Sequence, residues 1–297
     1  MMKKTIFTGA GVALVTPMHA DGSVNYEELE RLIEFQIENG TDAIVSCGTT
    51  GESATLTHQE HIDVLKFTIE KVNHRVPVIA GTGSNETAFA AELSVHAEEL
   101  GADALLLVTP YYNKTSQDGL VAHYTYIADR VHLPIIIYNV PSRTGCNVLP
   151  ETYARLAKHP NIAAAKEASG NISAVAQIAH LCGDQLDIYS GNDDQIVPVM
   201  SLGGKGVISV LSNVAPRLAH DIAAEYLKGN VKQSAKLQTE YLDLINALFI
   251  DVNPIPVKEA MNLMGFDVGA CRLPLFRLSD QNRQKLIQVL QKYNMIK

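Results

Sequence analysis

Residues 134–169 read PIIIYNVPSRTGCNVLPETYARLAKHPNIAAAKEAS. Two short, near-continuous apolar runs, 134–140 and 162–169, bracket a turn marked by proline and glycine and a stretch of mixed polarity. Apolar runs without polar alternation are what strands covered on both faces show. A helical stretch between two such runs is the crossover of a parallel strand-helix-strand unit.

The same unit recurs outward in both directions. Residues 11–17, 43–48, 76–81, 104–110, 186–191 and 206–210 complete a set of eight strand candidates. The intervening helices carry recognisable ends. Asn25 with Glu28, and Thr57 with Glu60, have the spacing of a capping box, in which side chains satisfy orphan amides of the first turn. Leu29, Leu32, Ile33 and Ile37 fall on one face of the first helix, and Gly40 follows it as a left-handed cap would. Gly101, Gly183 and Gly229 are expected to close later helices in the same way.

Eight units within roughly 230 residues match a (β/α)₈ barrel, typically about 250 residues long. An open doubly wound sheet also alternates strand and helix, but it usually carries a G-x-G-x-x-G turn after its first strand. Here that turn is Thr16-Pro17-Met18. After Gly229 the strands stop, and 231–250, about 255–264 and 279–293 read as helices. The expected organisation is a catalytic barrel, residues 1–229, and a C-terminal helical subdomain, residues 230–297, for packing and assembly.

Composition narrows the function classes. A chain that is 46% hydrophobic and 19% charged reads as a soluble globular protein, and no apolar run is long enough to span a bilayer. The net charge of −8, without a basic patch, argues against nucleic acid as a partner. The start, Met1-Met2-Lys3-Lys4, invites a leader-peptide reading, but Thr8, Gly9 and Gly11 break the apolar region that would follow. Cys47, Cys146, Cys182 and Cys271 form no C-x-x-C pair and read as small hydrophobes in a cytoplasmic protein.

In this fold the working residues sit at the C-terminal ends of strands. Those ends carry Gly48-Thr49-Thr50-Gly51-Glu52-Ser53, Thr109-Pro110-Tyr111-Tyr112-Asn113, Tyr138 to Gly145, Lys166-Glu167-Ala168-Ser169 and Ser190-Gly191-Asn192-Asp193-Asp194. Lys166 follows Ile162-Ala163-Ala164-Ala165, neighbours of little bulk and no side-chain polarity. An ammonium in such a site loses hydration, its pKa falls, and the neutral amine can attack carbonyls. A strand-end lysine that reaches solvent or pairs with an acid is the alternative. Tyr138, Tyr112 and Thr49 offer hydroxyls that both donate and accept, as a proton relay needs; tyrosines also cap cores with a wet hydroxyl. Arg143, in a Pro-Ser-Arg-Thr-Gly turn, suits a carboxylate or a surface ion pair. Thr49, Thr50 and Gly51 could present hydroxyls and amides to a second carboxylate.

Two other motifs are set aside. Gly203-Gly204-Lys205-Gly206 lacks the Walker spacing and reads as the entry to the eighth strand. His58 and His61 are three apart on a helix, but that helix supplies no third metal ligand.

Taken in order, Gly48-Thr49-Thr50-Gly51-Glu52, Tyr138 to Gly145, Lys166-Glu167-Ala168 and Asn253-Pro254-Ile255-Pro256-Val257-Lys258 resemble the 4-hydroxy-tetrahydrodipicolinate synthases, long called dihydrodipicolinate synthases. The resemblance runs nearly end to end. It implies condensation of pyruvate with L-aspartate 4-semialdehyde, the entry step to diaminopimelate and lysine, without a metal or organic cofactor. Lys166 matches the family's Schiff-base lysine and Tyr138 its proton donor and acceptor, with Thr49 and Tyr112 as the relay. Tyr112 matches a residue that enters the neighbouring subunit's site in a homotetramer. Thr50, Gly191 and Ile208 match positions that hold pyruvate, and Arg143 the residue that receives the semialdehyde carboxylate. Ser53, Ala54, His58, His61, Asn85 and Tyr111 match an interface site at which some members bind inhibitory lysine. There Phe89 replaces a glutamate, which removes a partner for the inhibitor's ammonium and implies weak or absent inhibition. Sister lyases acting on N-acetylneuraminate or 2-keto-3-deoxygluconate share the lysine and tyrosine, but their polyol aldehydes call for hydroxyl partners rather than Arg143.

Overall fold

The computed structural model describes residues 3–297; Met1 and Met2, part of the start weighed as a leader, lie outside the described residues. Eight parallel strands close into a barrel in chain order. They are β1 (Gly9–Ala13), β2 (Ala43–Ser46), β3 (Val78–Gly81), β4 (Ala104–Val108), β5 (Ile135–Asn139), β6 (Ile162–Glu167), β7 (Asp187–Ser190) and β8 (Gly206–Ser209). The helices α1 (Tyr26–Glu38), α2 (His58–Val72), α3 (Thr87–Glu99) and α4 (Gln117–Ala128) follow the first four strands. The short α5 (Pro141–Thr144) and α6 (Pro150–Leu156) follow β5, α7 (Ile172–Cys182) follows β6, α8 (Ile196–Met200) follows β7, and α9 (Pro216–Leu227) follows β8. The tail adds α10 (Val231–Glu240), α11 (Leu242–Ala247), α12 (Ile255–Leu263) and α13 (Asp280–Lys292). Among the described residues no helix is long and apolar enough to cross a membrane.

The (β/α)₈ expectation holds; its details need correction. Most strands end sooner than their apolar runs, because the last residues leave the ladder to build the rim. The largest shift is in β1. Gly9 and Ala10 pair with β8, while Val15 donates its N–H to Asn213 Oδ1 and the Thr16 hydroxyl to the Gly51 carbonyl. Residues 231–250 are not one helix, since the chain breaks at Tyr241 between α10 and α11. Thr57 and Glu60 form the full capping box, worth about 1 kcal/mol. Asn25 accepts from the Glu28 amide, but Glu28 turns its carboxylate to the Asp267 amide and Arg31, so only half that box exists. Gly183 takes a positive φ of 50° with ψ −134°, outside the left-handed helical region, because a 3₁₀ turn follows directly.

Two apolar shells follow from strand alternation. Outward residues such as Ile44, Leu105, Leu107, Ile135 and Ile137 pack under the helices. Inward residues fill the lumen: Ala13, Ala43, Val45, Ile79, Ala104, Leu106, Ile136, Tyr138, Ala164, Tyr189 and Ile208. Four of these are alanines, and the space they leave is what long inward side chains can occupy. The Phe7 ring stacks on Tyr189 at 4.4 Å between centroids, and the Tyr189 hydroxyl donates to the Phe7 carbonyl at 2.6 Å. Gly206 opens β8, as its motif suggested, with φ +150°. A Cβ there would stand 1.8 Å from the Gly9 carbonyl oxygen, so only glycine lets β8 close onto β1. Between β5 and β6 the register slips once: Ile135 pairs with Ile162 and Ile136 with Ala164, leaving Ala163 unpaired.

Candidate active site

Tyr138 and Lys166 are register partners on β5 and β6, and Tyr189 on β7 is the next partner of Lys166. The Lys166 side chain therefore lies inside the barrel, 5% exposed, with its Nζ 4.2 Å from the centroid of the Tyr138 ring. Burial pulls its pKa from 10.5 to about 7; Asp193 opposes the shift and Arg143 adds to it. The aromatic face beside Nζ favours the charged form, but desolvation is the larger influence. Near neutral pH about half of the amine is unprotonated. Room for the lysine stem comes from Gly191, whose substitution would set a Cβ 3.2 Å from Lys166 Cε and 2.7 Å from the Ala168 Cβ.

Burial raises the Tyr138 pKa, while Arg143 and a hydrogen bond with the Thr49 side chain pull it down. Thr49 stands on the loop after β2, held in shape by two left-handed residues, Cys47 (φ 55°) and Glu52 (φ 56°). Such backbone costs on the order of 1 kcal/mol or more per residue, so the surroundings must enforce it. Here they do. The buried Glu52 carboxylate accepts from Lys258 Nζ at 2.8 Å and from the Arg272 amide at 2.8 Å. Lys258 also donates to the carbonyls of Thr16 (3.1 Å) and Ala270 (3.0 Å).

The tail holds the rim at a second point. Asn253 Nδ2 donates to Thr50 Oγ1 at 2.9 Å, and its carbonyl accepts from the Arg143 guanidinium at 3.3 Å. One residue outside the barrel thus touches two residues read as carboxylate partners. Asp193, also buried, accepts from the amides of Val210 (3.0 Å) and Leu211 (2.9 Å), while its Oδ1 has no protein partner. Burial raises its pKa, against hydrogen bonds from Ser209, Leu211 and Val210. Ile208 is buried in the lumen on β8. Glu167 points away from the lumen and accepts from Asn139 Nδ2 (3.1 Å), the Tyr153 hydroxyl (3.2 Å) and the Ser169 amide (2.9 Å).

Several expected residues lie apart from this cluster. Tyr112 has φ 68° and is 92% exposed, outside the Lys166 pocket of its own chain. Of the residues matched to an inhibitor site, His61 is buried with Nε2 2.8 Å from the Gly81 carbonyl oxygen. Ala54 is exposed and Tyr111 half-exposed. Ser53 and Asn85 border different cavities, and Asn85 accepts from Asn113 Nδ2 at 2.9 Å. Size does not mark the site: a cleft of about 880 Å³ opens beside Lys3, Pro77, Asp103 and Pro134 at the other end of the barrel. It offers none of the groups gathered around Lys166.

A closed parallel barrel with a buried amine at its C-terminal rim, a phenol ring against that amine and an arginine close enough to act on its charge defines the class: a (β/α)₈ enzyme. Comparison with known proteins supplies the family. The profile of the dihydrodipicolinate synthetase family matches residues 6–293, and the chain belongs to that family. It is 61% identical over 292 residues to a 4-hydroxy-tetrahydrodipicolinate synthase of Lachnoclostridium phytofermentans, covering 98% of this chain and 99% of the relative. Identity is 55% over 295 residues to the enzyme of that name from Acetivibrio thermocellus, covering 99% and 100%. The crystal structure of dihydrodipicolinate synthase from Aquifex aeolicus superposes with a TM-score of 0.95 at 46% identity, covering 97% and 99%. That from Thermotoga maritima gives 0.96 at 43%, covering 98% and 100%. The chain is a lyase.

Asn253, Asp193, Glu167 and the Glu52–Lys258 pair were not singled out from sequence as parts of the site. Asn253 and Lys258 lay inside a recognised motif, Asn253 to Lys258, which was the one available signal.

Proposed function

We propose that this chain condenses pyruvate with L-aspartate 4-semialdehyde to give 4-hydroxy-tetrahydrodipicolinate, in lysine and diaminopimelate biosynthesis, through a Schiff base on Lys166. The single observation that carries the reading is the Lys166 amine, held by burial at a pKa of about 7 against the Tyr138 ring. Neutral Lys166 adds to the ketone of pyruvate, and loss of water gives the imine. Tyr138, which lines one cavity with Thr49, supplies and takes the protons. The protonated imine withdraws electrons, so the pyruvate methyl group loses a proton and becomes an enamine carbon. That carbon attacks the aldehyde. The amine of the second substrate then displaces Lys166 from the imine carbon, closing the ring and freeing the lysine.

Thr50, Gly191 and Ile208 hold pyruvate in this reading, and Arg143 receives the carboxylate of the semialdehyde in a bidentate fork. Every step is proton transfer and addition to a carbonyl or imine, so no metal or organic cofactor is required. The sister-lyase reading is not favoured, because the relatives carry the synthase name and Arg143 suits an acid better than a polyol. Tyr112, exposed and held at φ 68°, completes the relay of a neighbouring subunit in a homotetramer, working in the cytoplasm. The residues 230–297 form a subdomain that steadies the barrel rim. With Phe89 in place of a carboxylate, lysine inhibits weakly or not at all. An inhibition curve in the range of glutamate-bearing relatives would overturn that last point.

The test of the main reading is chemical. Borohydride reduction in the presence of pyruvate should add one pyruvate-derived group per chain, on the peptide containing Lys166. An adduct on another lysine, or none, would sink it.

A further inference from the structure

His58, the first residue of α2, packs against α3. Its ring packs edge-on against Phe89, with centroids 5.3 Å apart, and its Nε2 stands 3.8 Å from Glu92 Oε1. The His96 ring lies 5.9 Å from it. Phe89, Glu92 and His96 are spaced i, i+3 and i+7 on α3, so they form one stripe facing the first residue of α2. Each of His58, Glu92 and His96 offers one ligand atom, and the three atoms all lie within 4.8 Å of one another.

A second observation sets this trio apart from a chance surface cluster. His96 Nδ1 is buried and has no hydrogen-bond partner among the described residues. Buried polar atoms are nearly always satisfied, and an imidazole nitrogen without a donor beside it is a ready lone pair. We propose that His58, Glu92 and His96 bind a divalent transition-metal ion of the zinc class, stapling α2 to α3.

The donor set fits that class. Two imidazoles and one carboxylate, completed by water, are a recurrent three-residue zinc set, with metal–ligand distances of about 2.0–2.2 Å. Ligand atoms around such an ion lie about 3.3 Å apart, so the trio must draw together by roughly 1.5 Å at its widest. Glu92 and His58 are free to do this, their side chains being 55% and 40% exposed. Hard cations such as Mg²⁺ and Ca²⁺ want oxygen donors and are excluded by the two imidazoles. His96 sits in the last turn of α3, where the helix dipole favours positive charge. At the N-terminus of α2 the dipole works against it at His58, and the Glu92 carboxylate offsets this. The site is separate from the cofactor-free chemistry at Lys166.

The probe is Zn²⁺ itself, added to the full-length, chelator-stripped protein. The expected result is one ion per chain by equilibrium dialysis. Binding should weaken at least tenfold in Glu92→Gln and in His96→Ala, and persist in His132→Ala, which removes an exposed histidine beside Glu98. Zn²⁺ should also raise the unfolding midpoint of the wild type but not of Glu92→Gln, since a ligand that binds only the folded chain stabilises it. Glu92 is exposed, so that variant keeps the test valid should His96→Ala fold poorly. Absence of stoichiometric binding, or equal binding in wild type and Glu92→Gln, overturns the proposal.

Discussion

Two lysines are buried among the described residues, and they stand in opposite circumstances. Lys258 is 1% exposed and gives its three N–H groups to the Glu52 carboxylate and to the carbonyls of Thr16 and Ala270. Lys166 is 5% exposed in an alanine-lined lumen, with an aromatic face beside it and its electrostatic support, Asp193, not in ion-pair contact. A desolvated ammonium needs compensation or it sheds its proton. The first lysine is compensated and serves as a tie between tail and rim. The second is not, as the nucleophile proposed above requires. What separates the two lysines is the number of acceptors around each, not the depth of burial.

The hardest way to break this contrast is to exchange the roles. Lys166→Ala should lower turnover by on the order of 10⁴-fold or more without lowering the unfolding midpoint, and Lys166→Met should raise the midpoint at neutral pH. The linkage sign follows from the shift. With the folded-state pKa lowered from 10.5 to about 7, the unfolded chain holds the extra proton between those values. The penalty is complete below about pH 7 and is relieved as pH rises toward 10.5. That slope should vanish in Lys166→Met; its persistence, measured by denaturation across pH 7–10, would refute the assignment. Lys258→Met should instead cost roughly 3–5 kcal/mol of stability, because Glu52 is left buried and unpaired. Adding Glu52→Gln should recover part of it, and a further loss in the double variant would count against the tie.

Smaller effects sharpen the picture. Tyr138→Phe should lower kcat by about 10²–10³-fold and Thr49→Val by about tenfold, as expected for loss of proton-transfer groups. Single-turnover trapping of pyruvate should climb about tenfold per pH unit below 7 and level off above it; a plateau reached only above pH 9 would mean that Lys166 is not held near 7. Asn253→Ala, which releases both Thr50 and Arg143, should raise KM for both substrates by roughly three- to tenfold with kcat little changed. An effect on one substrate alone would break the proposed double grip.

The barrel was legible because each of its strands is buried on two faces and so spells an apolar run. Strand ends were less so: the apolar run continues through Leu14 and Val15 while the chain leaves the ladder, and side chains from elsewhere, Asn213 and Lys258, take the Val15 amide and the Thr16 carbonyl. The placement of Tyr138 beside Lys166 at the rim was also legible, because both lie near the ends of strands whose direction fixes where they point. Their supports were not. Glu52 and Lys258 are 206 residues apart, and Thr50 and Asn253 are 203 apart; nothing local in either segment encodes the meeting. His61 shows the same limit from the other side, since helix spacing paired it with His58 while the fold gave its Nε2 to Gly81.

The unpaired Ala163 works as a phase shifter. Ile162 belongs to the outer shell and Ala164 to the lumen, although both positions are even. Strict alternation from Ile162 would turn residues 163, 165 and 167 inward. The barrel would then present Glu167, a carboxylate, where it now presents an amine, and Lys166 would sit under the helices beside Asn139 and Tyr153. One inserted alanine decides which of two adjacent, oppositely charged residues faces the lumen, so the polarity of the candidate site is set by counting rather than by composition.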